Sequence, residues 1–251
     1  MARQKGIMPV KGTIGNLSFY KSRDGYLLRE KGGVEGQRIN TDPAFQRTRE
    51  NGAEFGSAGK SGKLLRTAVR ALTQNASDGR MVSRLIKVIM KVIKSDSVNP
   101  RGSRTITDGD IGLLQKFEFN IHSKLDTTLL APYNAAIDRV AGELTVDIPA
   151  FIPMNMIAAP TGATHFRINA GGAEVDFNAG SYVNDVLHSA ELPIDTVLTA
   201  PIALAAAVTP NSTLPLFLVV GIEFFQEVNA VMYPLKNGAF NALSLVMVSG
   251  S

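Results

Sequence analysis

The side chains that could carry out catalysis lie far apart in this chain of 251 residues. The run Gly59-Lys60-Ser61 resembles the end of a phosphate-binding P-loop, but Glu54 stands where that motif requires its first glycine. An acidic side chain at that position would repel phosphate. His165 and Asp176, on predicted strands, are a candidate acid–base pair. Because the sequence places no nucleophile or metal ligand beside them, a hydrogen-bonded structural histidine is the favoured interpretation.

The residue types present exclude further kinds of site. The chain has no cysteine, which excludes disulfides, thiolate metal sites and a cysteine nucleophile. The histidines are at least 23 residues apart and form no local metal-binding motif; they are His122, His165 and His188. Apolar residues make up 45% of the chain and charged residues 19%, which is typical of a globular protein. The sequence therefore predicts a non-enzymatic protein without a cofactor or a metal site.

Two long stretches without charge, residues 148–166 and 196–222, raise the question of a membrane span. Each stretch contains three prolines, which divide it into pieces of strand length. The N-terminus is basic but has no apolar stretch behind it, unlike a secretory signal. The sequence therefore predicts a cytoplasmic protein with no membrane span.

Charge is divided unequally between the two halves of the chain. Residues 1–130 hold 23 Lys and Arg against 12 Asp and Glu, whereas residues 131–251 hold 3 against 10. This pattern has three interpretations: two domains with different solvated surfaces, a basic surface that meets the acidic surface of a neighbouring copy, or a basic surface for nucleic acid.

The elements that must position these charges begin with an N-terminal arm, residues 1–40. Residues 17–21 have strand character, Asp24-Gly25 is a hairpin turn signal, and residues 26–28 start the return strand. A hairpin of this size is marginal by itself, so it must pack on the rest of the chain or on another subunit. The side chains expected to make that contact are Phe19, Tyr20 and Tyr26.

Residues 41–119 are predicted to form a basic helical region. A first helix starts at Asp42-Pro43 and extends to Leu72, with a break near Gly59–Gly62 as an alternative. A second helix extends from Ser77-Asp78 to about Lys94, and its apolar positions recur at helical spacing. Its basic residues either form a solvated face or bind a phosphate backbone, an anionic membrane or an acidic protein surface. They are Arg80, Arg84, Lys87, Lys91 and Lys94.

Residues 120–251 are predicted to form an acidic, antiparallel β-sandwich-like domain, which makes the fold class α+β. Gly171-Gly172 and Asn237-Gly238 are interpreted as turns between strands. Glu223 and Glu227 are the candidate acidic surface for the basic face of a neighbour. The predicted strands are residues 143–148, 164–168, 174–177, 197–208, 216–225, 228–233 and 242–248.

Several sequence runs resemble a known group of proteins. They are Lys11-Gly12-Thr13-Ile14-Gly15-Asn16-Leu17-Ser18-Phe19-Tyr20-Lys21, Asp24-Gly25-Tyr26, Asp42-Pro43-Ala44-Phe45 and Met232-Tyr233-Pro234-Leu235-Lys236-Asn237-Gly238. These runs resemble uncharacterised proteins of Bacteroidetes-type bacteria and, through them, rhapidosome-type proteins that form cytoplasmic tubes. The resemblance spans most of the chain and implies a structural role, but it supplies no catalytic or binding residue.

The sequence thus favours a structural protein that assembles with itself into a filament, tube or ring. Its basic N-terminal part would meet the acidic C-terminal part of the next copy. The alternative is a nucleic-acid-associated protein that binds the phosphate backbone through the basic helix at residues 79–94.

Overall fold

The computed structural model describes residues 2–4, 9–30, 32–235 and 239–250. They belong to two compact units, Met1–Glu50 and Asn51–Ser251. Helices and antiparallel sheets are both present, in the predicted order of a hairpin, a long helix and several further sheets. The predicted α+β class is therefore confirmed.

The first unit contains a four-stranded antiparallel sheet with the strand order β1-β4-β3-β2. The predicted hairpin is β3 and β4, and Asp24 lies in its turn with Gly25 at a φ of 104°. After the sheet, the Asp42 carboxylate accepts a hydrogen bond from the amide of Ala44 and caps a short 3-10 helix at Pro43–Phe45. The elements are β1 (Ala2–Arg3), β2 (Gly12–Ile14), β3 (Leu17–Ser22), β4 (Gly25–Glu30) and α1 (Gly36–Thr41).

Three helices follow: α2 (Gln46–Ala68), α3 (Arg70–Thr73) and α4 (Met81–Ser95). Helix α2 is continuous through Gly59–Gly62, where a break was the alternative. A Cβ on Gly62 would lie 3.3 Å from the Cδ1 of Ile89 on α4, so this glycine allows the two helices to approach closely. The apolar face of α4 is buried, as its periodicity predicts, at Leu85, Ile89, Val92 and Ile93.

The second unit is built on a seven-stranded antiparallel sheet with the central order β10-β8-β12-β14-β5, in which β9 also pairs with β8 and β13 with β12. The strands are β5 (Phe117–Glu118), β8 (His165–Asp176), β9 (Ser181–His188), β10 (Leu192–Pro193), β12 (Leu216–Val228), β13 (Val231–Pro234) and β14 (Ala242–Ser249). A separate three-stranded sheet has the order β11-β7-β6, with β6 (Asn134–Asp138), β7 (Glu143–Ile148) and β11 (Ile202–Ala207). The remaining helices are short: a 3-10 helix at Ile111–Leu114, α5 (Leu125–Thr128) and α6 (Pro153–Met156).

The interpretation of Gly171-Gly172 as a turn is wrong, because both residues lie inside the single 12-residue strand β8. A Cβ on Gly171 would lie 2.7 Å from Leu72, and one on Gly172 would lie 2.9 Å from Ala206. The glycines therefore let a helix and the smaller sheet pack closely against opposite faces of the strand. The other predicted turn, Asn237-Gly238, lies outside the described residues.

Two hydrophobic cores lie on the two faces of the large sheet. One contains the apolar side chains of α2 and α4 together with Phe217 and Val219 of β12. The other contains Leu144 of β7, Leu204 of β11 and Leu218 of β12. The helical region therefore shares a core with the β-rich region, although the sequence predicts separate domains, 41–119 and 120–251.

In the part of the chain that the structure describes, no helix combines the length and the apolarity that a membrane crossing requires.

Candidate interaction surfaces

The N-terminal sheet has one distinctly apolar face. Residues directly opposite each other in antiparallel strands point to the same side of a sheet. The pairs Phe19–Leu28, Lys21–Tyr26 and Ile14–Leu17 therefore place five large apolar or aromatic side chains together. We call this the donor face: Ile14, Leu17, Phe19, Tyr26 and Leu28.

The donor face combines exposed and half-buried side chains. None of the described residues between 2 and 50 is buried: 63% of Ile14 and 41% of Leu17 are exposed, whereas Phe19, Tyr26 and Leu28 are half-buried. Tyr20 lies on the opposite side of the sheet, where the guanidinium of Arg29 is 5.6 Å from its ring centroid. Of the three aromatic residues expected to make one contact surface, the structure therefore brings together only Phe19 and Tyr26.

The predicted basic face of α4 is only partly available. Arg84 donates hydrogen bonds to the carbonyl oxygens of Glu118 and Phe119 and forms an ion pair with Asp78. Its guanidinium also lies 5.2 Å from the ring centroid of Phe117. Arg84 therefore joins α4 to β5 and the residues that follow it, and the structure does not support its assignment to a free binding face.

The other basic residues of the predicted face are exposed: Arg80, which immediately precedes α4, and Lys87, Lys91 and Lys94 within it. We call the last three the lysine ridge. A groove of about 430 Å³ on one side of the ridge is also lined by Lys116 and Lys124, with Phe117 and Ile121 as apolar lining. Burial raises the pKa of the Glu118 carboxyl in this groove, and the hydrogen bond from the Leu125 amide only partly opposes the shift.

A second groove, of about 530 Å³, lies between the ridge and α2. Phe55, Ile86 and Met90 give it an apolar lining, and the three ridge lysines border it. Within the described residues, none of these lysine side chains has an ion-pair partner. The ridge therefore presents uncompensated positive charge between two partly apolar grooves.

The assignment of Glu223 to an acidic surface is wrong. Glu223 is 5% exposed, its Oε2 accepts a hydrogen bond from Arg167 at 2.7 Å, and its Oε1 accepts one from Asn75 at 3.1 Å. The side chain lies on the helix-covered side of β12, where the guanidinium of Arg167 neutralises its charge. Glu227, four residues further along, is exposed and offers only a single carboxylate to a partner.

His165 and Asp176 do not form an acid–base pair. They occupy opposite ends of β8, a separation of roughly 35 Å at the rise of a strand. The Nε2 atom of His165 lies 3.7 Å from the Oε2 of Glu227, and its Nδ1 lies 3.0 Å from the hydroxyl of Thr164.

The run Gly59-Lys60-Ser61 lies inside helix α2 and does not form a P-loop. Glu54, earlier in the same helix, is buried and accepts a hydrogen bond from the Gly102 amide.

A third surface, which the sequence analysis missed, is the outer side of the three-stranded sheet. Alternate residues of these strands are exposed, apart from the half-buried Thr145, while the residues between them are buried in β7 and β11 and half-buried in β6. The strand pairing brings four alanines, three carboxylates and two neutral polar residues together. We call this the acceptor face: Asn134, Ala136, Asp138, Glu143, Thr145, Asp147, Ala203, Ala205 and Ala207.

Comparisons with known proteins define no class for this arrangement. No protein-family model, curated protein sequence or solved structure matches the chain. The interpretation of these surfaces therefore depends on their geometry and chemistry.

Proposed function

We propose that this chain is a non-enzymatic structural protein that assembles with copies of itself into a cytoplasmic filament, tube or ring. The observation that carries the proposal is the cluster of exposed and half-buried apolar side chains on the donor face of the N-terminal sheet. This role agrees with the resemblance to rhapidosome-type, tube-forming proteins.

The donor face needs a partner for energetic reasons. Small sheets gain independent stability when a hydrophobic face is packed against another element. Complete burial of a side chain the size of phenylalanine or leucine contributes roughly 1.5–3 kcal/mol. Burial of several such side chains is comparable with the cost of association, about 4–15 kcal/mol. Burial of the donor face can therefore offset much of the cost of association, and charge attraction between copies adds to it.

Charge favours a head-to-tail contact over a contact between two identical arms. Residues 1–50 hold 10 Lys and Arg against 5 Asp and Glu, so two such units repel each other. Residues 131–251 hold 3 Lys and Arg against 10 Asp and Glu, so they attract a basic unit. A head-to-tail contact repeats from copy to copy and gives an open filament, or a closed ring when the rotation permits.

Deletion of residues 1–40 is expected to give a folded monomer. Neither hydrophobic core contains a residue before Ala58, so the truncated chain keeps both of them. Sedimentation velocity at low salt should show assemblies for the full chain and a single monomeric species for the truncated chain. A truncated chain that assembles as the full chain does would contradict the proposal.

The lysine ridge supports a second candidate function, binding of a phosphate backbone. Unpaired lysines bind phosphates through counterion release, with little dependence on sequence. The double variant Lys87→Glu/Lys91→Glu is expected to bind a labelled DNA duplex at least tenfold more weakly in fluorescence anisotropy below 50 mM salt. Lys60→Glu/Lys63→Glu makes the same charge change at exposed positions of α2 and is the matched control. Absence of binding by the unmodified chain, or equal losses in both variants, would eliminate this function for the ridge.

A further inference from the structure

We propose that the acceptor face is the surface on which the donor face of the next copy docks. This inference rests on the proposed self-assembly and identifies the contact that would produce it. The partner is thus a second copy of this chain, and the docking element is its N-terminal sheet.

The acceptor face is shallow because short side chains occupy most of its outer strands. Ala203, Ala205 and Ala207 occupy the exposed positions of β11, and alanine is depleted in strands because it provides little side-chain packing. Ala136 occupies the middle exposed position of β6. These short side chains leave the outer side of the sheet shallow. A second sheet with large side chains can therefore approach closely and fill the space above the alanines.

The acceptor face is also acidic. The nine residues of the acceptor face include three carboxylates and no cation. Glu143 lies directly opposite Asp138 in the pairing of β6 with β7, an arrangement that costs stability when nothing compensates it. The Asp138 carboxylate accepts hydrogen bonds from the amides of Val140 and Ala141. The side chains of Glu143 and Asp147 have no hydrogen-bond or ion-pair partner among the described residues.

The donor face is complementary to the acceptor face in shape, and the unit that carries it is complementary in charge. The donor face carries large apolar side chains where the acceptor face carries alanines. The charged residues that the strand pairing places on its side of the sheet are Lys21 and Glu30, so the positive excess comes from the unit as a whole, in which residues 1–50 hold 10 Lys and Arg against 5 Asp and Glu. Three strands with about five residues each measure about 14 by 16 Å, a size that matches the paired strands β2, β3 and β4. Three other grooves, the two beside the lysine ridge and one of about 480 Å³ lined by Lys60 and Lys63, are basic, as the N-terminal unit is.

Ala205→Arg tests the inference, because it places a bulky cation in the middle row of the acceptor face and leaves the buried side of β11 unchanged. The expected result in sedimentation velocity is at least a tenfold rise in the concentration required for assembly. Ala190→Arg, an exposed alanine between β9 and β10, is the matched control and is expected to assemble as the unmodified chain does. Glu143→Lys/Asp147→Lys tests the same face through charge alone and is expected to show a loss of similar size.

A mixing experiment tests the head-to-tail geometry. Phe19→Asp disrupts the donor face and Ala205→Arg the acceptor face, so each variant alone should remain monomeric at a concentration just sufficient for the unmodified chain to assemble. An equimolar mixture should form dimers that grow no further, because one intact donor face and one intact acceptor face remain for each pair. If the unmodified chain assembles and all acceptor-face variants assemble equally well, the docking inference is wrong while the proposed function stands. If the unmodified chain does not assemble, the proposed function itself fails.

Discussion

Replacement of Phe19 by serine is expected to weaken assembly at least tenfold, whereas replacement of its neighbour Tyr20 by serine is expected to preserve it. Both changes remove an aromatic ring from β3 and cost similar strand propensity. They differ in the side of the sheet that they alter, because Phe19 belongs to the donor face and Tyr20 lies opposite it beside Arg29. This matched pair separates a contact surface from a general loss of sheet stability.

The expected size of the Phe19 effect follows from burial. Loss of a fully buried phenylalanine side chain removes roughly 1.5–3 kcal/mol, which raises the dissociation constant about 10- to 150-fold. Sedimentation velocity across a concentration series measures this shift directly. Equal effects of Phe19→Ser and Tyr20→Ser would show that assembly depends on the stability of the sheet and not on the donor face.

Replacement of Arg167 by methionine is expected to lower the free energy of unfolding by about 3–5 kcal/mol. Arg167 forms a 2.7 Å ion pair with Glu223, and the side chain of Glu223 is 7% exposed. Removal of the arginine leaves this carboxylate buried with only the amide of Asn75 as a hydrogen-bond donor among the described residues. Urea denaturation followed by circular dichroism measures the change.

The double variant Arg167→Met/Glu223→Leu is the control for this second prediction. It removes both charges, so no uncompensated carboxylate remains in the interior, and most of the lost stability should return. A single variant that loses less than about 1 kcal/mol would show that Glu223 is solvated or paired differently. That result would also restore Glu223 as a candidate for the acidic surface.

Local signals identified several elements correctly. Asp24-Gly25 predicts the hairpin of β3 and β4 because the turn needs a residue with positive φ. The spacing of Leu85, Ile89 and Ile93 predicts α4 because one stripe of the helix packs into the core. Residues 143–148 alternate between buried and exposed and form β7 with the predicted bounds.

The errors arise where packing between elements overrides local signals. Gly171-Gly172 resembles a turn, but both glycines provide close approach on the two faces of a long strand. Glu223 resembles a surface carboxylate, and only the tertiary structure brings Arg167 and Asn75 to it. The acceptor face had one signal in the sequence, the alternation of alanine with larger apolar residues at 202–205, but its carboxylates come from two other strands.

Negative-stain electron microscopy of the unmodified chain at low and high salt tests the central claim most directly. Self-assembly predicts filaments, tubes or rings of constant width at low ionic strength. They should become fewer or shorter at 0.5–1 M salt, where the Debye length falls to about 3–4 Å and charge attraction between copies is screened. Uniform particles of the size of a 26.9 kDa monomer at every salt concentration would contradict the claim.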